Sequence, residues 1–208
     1  MQLSYSDILG LEQRFRTNLI NCLSGFKTPH LIGTKSKSGI TNLGLFTQVM
    51  HVGAKPPLMG VLFRPHSVPR HTLENILETK EYTINLVNKE MMEQAHWTSA
   101  RWEKSEFEAT GLTAQYSNDF SAPFVEESKI KIGLEFKEQL LIQANKTILV
   151  IGQIKTLIIE DGLLSKDGHL NIEAANTLAM IGLDSYHDTN TIGRLAYAKP
   201  DLPPKRLD

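Results

Sequence analysis

The chain has 208 residues, a length that suits one domain with some decoration. Hydrophobic residues make up 41% and charged residues 22%, and the formal net charge is -1, so nothing in the composition indicates a nucleic-acid-binding surface. The single cysteine, Cys22, excludes an internal disulfide and favours a reducing compartment. Residues 1–15 lack an apolar core of signal-peptide length, and no segment is apolar enough to span a bilayer, so we expect a cytoplasmic protein.

Glycine and proline recur at short intervals, which is typical of a chain with many short strands. In chain order, strands are predicted at residues 19–23, 30–34, 45–52, 58–63, 82–87, 129–137 and 148–159. Residues 129–137 alternate between apolar and mostly charged positions, which predicts a half-buried strand, and residues 82–87 alternate in the same manner. Residues 58–63 are apolar on both faces and indicate an interior strand.

Helices are fewer. The helix predicted at residues 72–78 has Leu73, Ile76 and Leu77 on one face, with Thr72 as its N-cap. A second helix is predicted at residues 89–100, and less regular patterns at residues 3–16 and 172–181 suggest two more. The sum is a mostly antiparallel barrel with helices at its edges. We expect one domain, 1–208, with a barrel core at about 19–160 and a C-terminal extension at 161–208.

Several common functional motifs are missing. There is no G-x-G-x-x-G segment, and the spacing of Gly39 and Gly44 is not followed by the Lys-Ser/Thr pair of a P-loop. His66 and His71 lie close together, but no third ligand follows at a sensible spacing, so we expect no metal site. Cys22 lies in an apolar strand pattern, which predicts a buried and inert thiol.

The start of the helix at residues 72–78 carries a set of polar groups. Arg70 precedes it, Thr72 supplies a hydroxyl, and Asn75 lies one turn later on the same side. Free backbone N–H groups and the helix dipole favour an anion there, and Arg64, at the end of the preceding strand, would add to this. The segment suits a phosphate, but these residues taken alone favour a plain capped helix with solvated arginines.

A second set of residues lies at a strand start. Asn42, Phe46, Thr47 and Gln48 combine small or polar groups with an aromatic ring, and together they could line a flat heterocycle. An ordinary loop leading into a strand is the alternative interpretation.

The ordered succession of these features resembles the flavin reductase-like, FMN-binding split-barrel family. It reads Asn42…Phe46-Thr47…Pro56-Pro57…Arg64…Thr72-x-x-Asn75-Ile76…Tyr82…Asn85. A loop with tryptophan and lysine at residues 97–107 and a closing R-x-x-Y-x-K-P pattern that starts at Arg194 are also similar to the family. The likeness extends from about residue 19 to residue 200.

This resemblance implies a mainly β fold, an antiparallel Greek-key FMN-binding split barrel with flanking helices. It implies a homodimer with the flavin near the subunit interface. The residues it assigns to FMN are Asn42, Phe46, Thr47, Gln48, Arg64, Arg70, Thr72 and Asn75. Thr72 and Asn75 would hold the phosphate with Arg64 or Arg70 assisting, and the others would contact the isoalloxazine ring and the ribityl chain, largely through backbone groups.

Two positions depart from the family pattern. Thr47 stands where family members commonly have serine, which preserves the hydroxyl. His71 stands where an acidic residue often precedes the threonine, which puts the details of phosphate binding in doubt.

The resemblance implies an FMN-dependent oxidoreductase that moves a hydride from NAD(P)H to bound flavin and on to a small-molecule or flavin acceptor. Flavin reduction by hydride requires no general acid or base from the protein. The alternatives are a non-enzymatic FMN-binding electron carrier of the flavoredoxin kind, a binding barrel without redox chemistry, and a relative of pyridoxamine-phosphate oxidase.

Two further groups of residues each have two alternative roles. Trp97, Trp102 and Lys104 would either form a lid over the ring or merely pack together. The closing residues, Arg194, Tyr197 and Lys199, suggest tail packing, with contact to a partner subunit's site as the alternative.

The sequence is compatible with NADH and with NADPH as the hydride donor. It is likewise compatible with flavin as a prosthetic group and with flavin as a substrate.

Overall fold

The computed structural model describes residues 1–207. The helices are α1 (Tyr5–Gly10), α2 (Gln13–Cys22), α3 (His71–Thr79), α4 (Met92–Trp97) and α5 (Glu106–Thr110), and a 3₁₀ turn spans Lys89–Met91. The first five strands are β1 (His30–Lys35), β2 (Thr41–Phe46), β3 (Val49–Ala54), β4 (Pro57–Phe63) and β5 (Glu81–Leu86). The others are β6 (Ala114–Ser117), β7 (Phe120–Val125), β8 (Ile130–Ile142), β9 (Thr147–Ile159), β10 (Ala179–Ile181) and β11 (Ser185–His187). In this described part of the chain, no helix is long and apolar enough to cross a membrane.

The main sheet closes because its two edge strands are joined by only two residues. Seven antiparallel strands pair in the order β2-β1-β5-β8-β9-β4-β3, so β2 and β3 stand at opposite edges. Only Thr47 and Gln48 separate Phe46, the end of β2, from Val49, the start of β3. One residue spans at most about 3.6 Å, so the two edges come within roughly 11 Å of each other here. The sheet therefore curls into a barrel that is closed at this Thr47–Gln48 link and split between β2 and β3.

Two hydrophobic cores lie on opposite faces of this sheet. The inner core fills the barrel, and α3 closes it; its members include Ile32, Val61, Phe63, Leu73, Ile76, Tyr82, Ile84, Ile132, Leu134 and Val150. The outer core packs α4 and α5 against β1 and β2, and includes Leu31, Leu43, Val87, Met91, Ala95, Phe107 and Leu112. Successive side chains of a strand point to opposite faces, so Leu31 and Ile32 enter different cores.

Tyr82 on β5 packs closely against the backbone of β9 at Gly152. Its side chain is fully buried, and a Cβ atom added at Gly152 would overlap the phenol oxygen. That oxygen has no hydrogen-bond partner among residues 1–207, and burial raises the pKa of Tyr82. Glycine is therefore required at position 152 by packing.

The β6–β7 hairpin covers part of the outer face of the sheet. Thr83 Oγ1 donates to the carbonyl of Pro123 at 2.6 Å, and the N–H of Val125 donates to Asn85 Oδ1 at 3.0 Å. Thr83 and Asn85 are both fully buried, because the hairpin replaces solvent on that face. Their hydrogen bonds offset the cost of desolvating them.

Lys131 on β8 is buried in the same way. Its side chain is 5% exposed, and its ammonium donates to Gln115 Oε1 at 2.5 Å and to the carbonyl of Glu126 at 3.0 Å. Burial lowers the pKa of Lys131. The strands predicted at residues 82–87 and 129–137 are confirmed. The prediction that each strand has one solvent-exposed face is wrong at Thr83, Asn85 and Lys131, which are buried.

Other predicted elements are also confirmed. Strands at residues 30–34, 58–63 and 148–159 are β1, β4 and β9, and the helix at residues 72–78 is α3. The helix predicted at residues 89–100 is a 3₁₀ turn followed by α4, which ends at Trp97. The helix predicted at residues 3–16 is two helices, because the helical conformation is interrupted between Gly10 and Gln13.

The strand predicted at residues 19–23 is wrong. These residues form the end of α2, whose first turn is capped by the Glu12 carboxylate, which accepts the N–H groups of Arg14 and Phe15 at 2.9 Å. Apolar residues cluster on this short segment, so a strand and a helix face look alike there. The prediction of a buried thiol fails with it, because Cys22 is exposed on the helix.

Two further predictions are wrong. Residues 45–52 are not one strand, because the chain leaves β2 at the Thr47–Gln48 link and pairs with β4 on the opposite edge. Residues 172–181 are not a helix: Asn176 adopts a left-handed conformation at φ 56°, and the N–H of Leu178 donates to the carbonyl of Val87. These long-range backbone bonds override the local pattern.

Candidate functional site

The predicted polar residues come together where α3 begins beside β1 and β2. Asn42 Nδ2 donates to Thr72 Oγ1 at 2.9 Å, and Asn75 Nδ2 donates to Thr34 Oγ1 at 3.1 Å. All four side chains are buried. The structure therefore places Asn42, Thr72 and Asn75 in one cluster, to which Thr34 is an addition that the sequence pattern does not single out.

This cluster retains hydrogen-bond donors that the described contacts do not use. Thr72 accepts from Asn42, so its own hydroxyl hydrogen remains free, and Asn75 keeps a second amide hydrogen. The N-cap is Arg70, whose side chain makes no capping bond among residues 1–207, so the prediction of Thr72 as N-cap is wrong. The first N–H groups of a helix lack partners within the helix, and the dipole adds positive potential. The arrangement suits an anion.

Gly44 lets the polar cluster and an aromatic ring approach the backbone of β2. A Cβ atom at this position would lie 3.3 Å from Thr72 Oγ1 and 3.1 Å from the Phe46 ring, closer than ordinary van der Waals contact. A side chain here would therefore displace Thr72 or Phe46. In the sequence, Gly44 draws attention only through an unrelated glycine spacing.

The segment that precedes α3 is held by Glu74. Its carboxylate accepts the N–H of Arg70 at 3.0 Å and lies 2.8 Å from His66 Nε2. The Arg70 N–H, and then His66, lower the pKa of the Glu74 carboxyl. The guanidinium of Arg70 makes two long bonds, of 3.4 Å, to the carbonyl of Pro65.

The two arginines differ in exposure. Arg70 is half-buried at the helix start, whereas Arg64 is exposed just beyond the end of β4. Both belong to the segment that leads into the cluster, so positive charge lies near the α3 N-terminus.

Of the four residues predicted to contact the ring and the ribityl chain, Phe46, Thr47 and Gln48 lie at the Thr47–Gln48 link, whereas Asn42 lies in the polar cluster. Phe46 packs edge-to-face on Phe63, with ring centroids 5.1 Å apart. Thr47 is half-buried, Gln48 is exposed, and the Gln48 carbonyl accepts the N–H of Leu62 at 3.0 Å. Backbone groups of the Thr47–Gln48 link are thus accessible at the end of the split where the link joins β2 to β3.

His30 faces Phe46 across the β1–β2 ladder. Its side chain is 7% exposed, and its Nδ1 has no hydrogen-bond partner in the described chain. Burial lowers the pKa of His30 to about 4. A neutral imidazole therefore underlies this end of the split at neutral pH.

The connection between α4 and α5 is anchored beside β2. Thr41 Oγ1 lies 2.7 Å from Ser105 Oγ, and the Glu106 carboxylate accepts the N–H of Leu43 at 2.9 Å. Glu106 thereby accepts a backbone N–H of the edge strand β2 that would otherwise lack a partner there, a role that no local sequence signal indicates.

Trp97, Trp102 and Lys104 lie around this connection. The two indole rings pack edge-to-face at 5.0 Å, Trp102 Nε1 donates to the Trp97 carbonyl at 3.1 Å, and Lys104 pairs with Glu108 at 3.1 Å. The tryptophans do pack on each other; the lid remains a prediction.

The closing residues lie on the C-terminal segment. Arg194 forms an ion pair with Asp167 at 2.7 Å, in agreement with tail packing. Tyr197 is 93% exposed, and Lys199 forms an isolated bridge with Leu202. A contact of these residues with a partner subunit remains a prediction.

Comparisons with known proteins agree with this architecture. The model of the flavin reductase like domain matches residues 23–174. A candidate flavin reductase with a split-barrel domain from Shewanella frigidimarina is 48% identical, with a TM-score of 0.92 over 95% of this chain and 100% of that one.

Two more distant structures share the fold. Nitrilotriacetate monooxygenase component B from Bacillus cereus has a TM-score of 0.82 at 18% identity, over 94% of this chain and 98% of that one. Flavoredoxin of Desulfovibrio vulgaris has a TM-score of 0.68 at 20% identity, over 85% of this chain and 92% of that one.

The chain belongs to the flavin reductase-like domain family, since the family model matches well over half of it. The predicted resemblance and the predicted split-barrel fold are thereby confirmed. Membership supports a flavin cofactor and is consistent with the free donors at the start of α3.

The neutral state of His30 predicts a loss of stability in acid. The unfolded chain protonates this histidine near its ordinary pKa of 6.5, whereas the folded chain does so only near 4. The unfolded state thus binds more protons between these values, and the free energy of unfolding falls by about 3 kcal/mol as pH drops from 6.5 to 4. Urea unfolding of wild type and His30→Leu across this range should show that the variant lacks this part of the slope.

The matched control is His51→Leu, which changes an exposed histidine and should keep the wild-type slope. Parallel pH profiles for wild type and His30→Leu would contradict the assignment.

Proposed function

We propose that this protein is an FMN-dependent oxidoreductase that takes a hydride from NAD(P)H and delivers it to a small-molecule or flavin acceptor. The observation that carries the proposal is the set of free donors at the start of α3, which lie close to the Phe46 ring at Gly44. A phosphate at these donors and a flat ring beside Phe46 match the two ends of a flavin mononucleotide.

Thr72 and Asn75 hold the FMN phosphate in this proposal. Each side chain has one hydrogen bond within the protein, which fixes its orientation, and one further donor to offer. The N–H groups of the first turn of α3 add to these donors, and Arg70 or Arg64 supplies positive charge. Orientation by buried neighbours reduces the entropy lost on binding.

Asn42, Phe46, Thr47 and Gln48 contact the rest of the cofactor. The Thr47–Gln48 link brings its backbone to the end of the split where it joins β2 to β3, and the Phe46 ring is fixed by its contact with Phe63. When bound, FMN supplies the chemistry of accepting and releasing a hydride, so the protein contributes position and electrostatics.

The site is proposed to be completed by a second copy of the chain. An apolar patch on the outer surface surrounds Gly60: Met50, Val52 and Leu149 lie about it, and Leu140 pairs with Leu149. Met50, Val52 and Leu140 are 41%, 44% and 50% exposed. Contiguous exposed apolar surface marks interaction sites, and a second barrel would also shield the ring from water.

The first test is an absorption spectrum of the purified protein after it is mixed with FMN and desalted. A retained visible flavin band that NADH or NADPH bleaches under anaerobic conditions is expected, and the more effective donor would then be identified. Bleaching by dithionite alone would favour an electron carrier, a function suggested by the fold shared with flavoredoxin. No retained band and no binding in a titration would overturn the proposal.

The phosphate assignment predicts the effect of Thr72→Ala combined with Asn75→Ala. Each hydrogen bond to a charged group contributes roughly 1.5–3 kcal/mol, so the Kd for FMN should rise at least about tenfold. Glu78→Gln, an exposed change on the same helix, should leave the Kd unchanged. An unaltered Kd in a double variant that urea unfolding shows to be folded would disprove this role.

The proposed dimer can be tested by measuring the molar mass of the protein by light scattering. Wild type should have twice the mass of the chain, and Val52→Glu combined with Leu140→Glu should be a monomer, because carboxylates cannot be buried unpaired in an apolar interface. The control, Leu164→Glu, alters a leucine that is 58% exposed outside the patch and should remain dimeric. A monomeric wild type, or a double variant that stays dimeric, would refute this interface.

A further inference from the structure

A second cavity lies between α4, α5 and the β10–β11 hairpin. Its volume is about 660 Å³, and its lining residues are separate from those predicted to hold FMN. Met92, Trp97 and Tyr186 give it an apolar and aromatic wall. Trp97 is 53% exposed, so its ring is available to a ligand.

The wall of this cavity is held in place by a contact with Trp102 and by a contact between two of its own lining residues. The Trp97 ring packs edge-to-face on Trp102, and the Trp102 indole N–H donates to the Trp97 carbonyl. Tyr186 Oη lies 3.0 Å from His96 Nδ1, and these two rings meet at 77°. The aromatic side chains are therefore preorganised, which lowers the entropy that a ligand must overcome.

Negative charge accompanies the aromatic wall. Glu93 and Asp184 also line this cavity, and among the lining residues only His96 can acquire a positive charge. Burial, and then Asp184, raise the pKa of Tyr186 to about 12, so its phenol is neutral.

These features together select one class of ligand. An anion would be repelled by the two carboxylates, and a bare metal ion would gain little from the aromatic rings. An organic cation uses both, because its charge is attracted to carboxylates and to the faces of tryptophan and tyrosine. We propose that this cavity binds a small organic ammonium ion, with its charge beside Glu93 and Asp184 and its apolar part against Trp97 and Tyr186. The inference does not depend on the proposed flavin chemistry.

The test uses the full chain saturated with FMN and two probes, benzyltrimethylammonium and the neutral benzyl alcohol. The chain has two tryptophans, so the indole N–H signals of Trp97 and Trp102 can be followed by NMR and assigned with Trp97→Phe. The cation should shift the Trp97 signal saturably and bind at least about fivefold more tightly than the alcohol.

Charge removal provides the second measurement. Glu93→Gln combined with Asp184→Asn should weaken binding of the cation about fivefold or more and leave that of the alcohol unchanged. The control, Glu103→Gln combined with Asp201→Asn, removes the same net charge from two exposed positions outside the lining and should bind as wild type.

Equal affinity for both probes, or an equal loss in the two double variants, would overturn the proposal. So would the absence of any saturable shift. An FMN titration of each protein, made before it is saturated, separates these outcomes from a failure of the flavin site.

Discussion

Thr47 and Gln48 connect the two strands that stand at opposite edges of the seven-stranded sheet, and this short connection forces the sheet to curl. Chain geometry leaves no other arrangement, because two residues cannot span an open sheet of seven strands. The curl encloses the inner core and places Phe46 next to Phe63. It also leaves the barrel split between β2 and β3, where the proposed ring contacts lie.

The position of α3 depends on two kinds of interaction. Leu73 and Ile76 are fully buried in the inner core, which fixes the helix over the end of the barrel. On the adjacent face, Thr72 and Asn75 are bonded to residues of β2 and β1. Polar groups that are buried without partners are costly, so these bonds fix the rotation of the helix more strictly than apolar contacts alone.

The outer layers give the sheet a buried second face. The β6–β7 hairpin covers β5 and β8, while α4 and α5 cover β1 and β2. Edge strand β2 is protected by Glu106, and the same helical layer forms one side of the second cavity. The proposed ammonium site thus lies on the layer outside the barrel, whereas the proposed flavin site lies at its split.

The amino-acid sequence was enough to predict the strands with a clear period of two, the helix at residues 72–78 and the family, because these depend on local periodicity and on an ordered set of motifs. It also identified Asn42, Thr72 and Asn75, which the structure brings together. The folded chain was needed to show that residues 45–52 divide between two edges of one sheet, that Lys131 is buried, and that Thr72 and Phe46 pack against Gly44. Each of these depends on which distant segment covers a strand, and strand pairing and burial are set by long-range contacts that local periodicity does not contain.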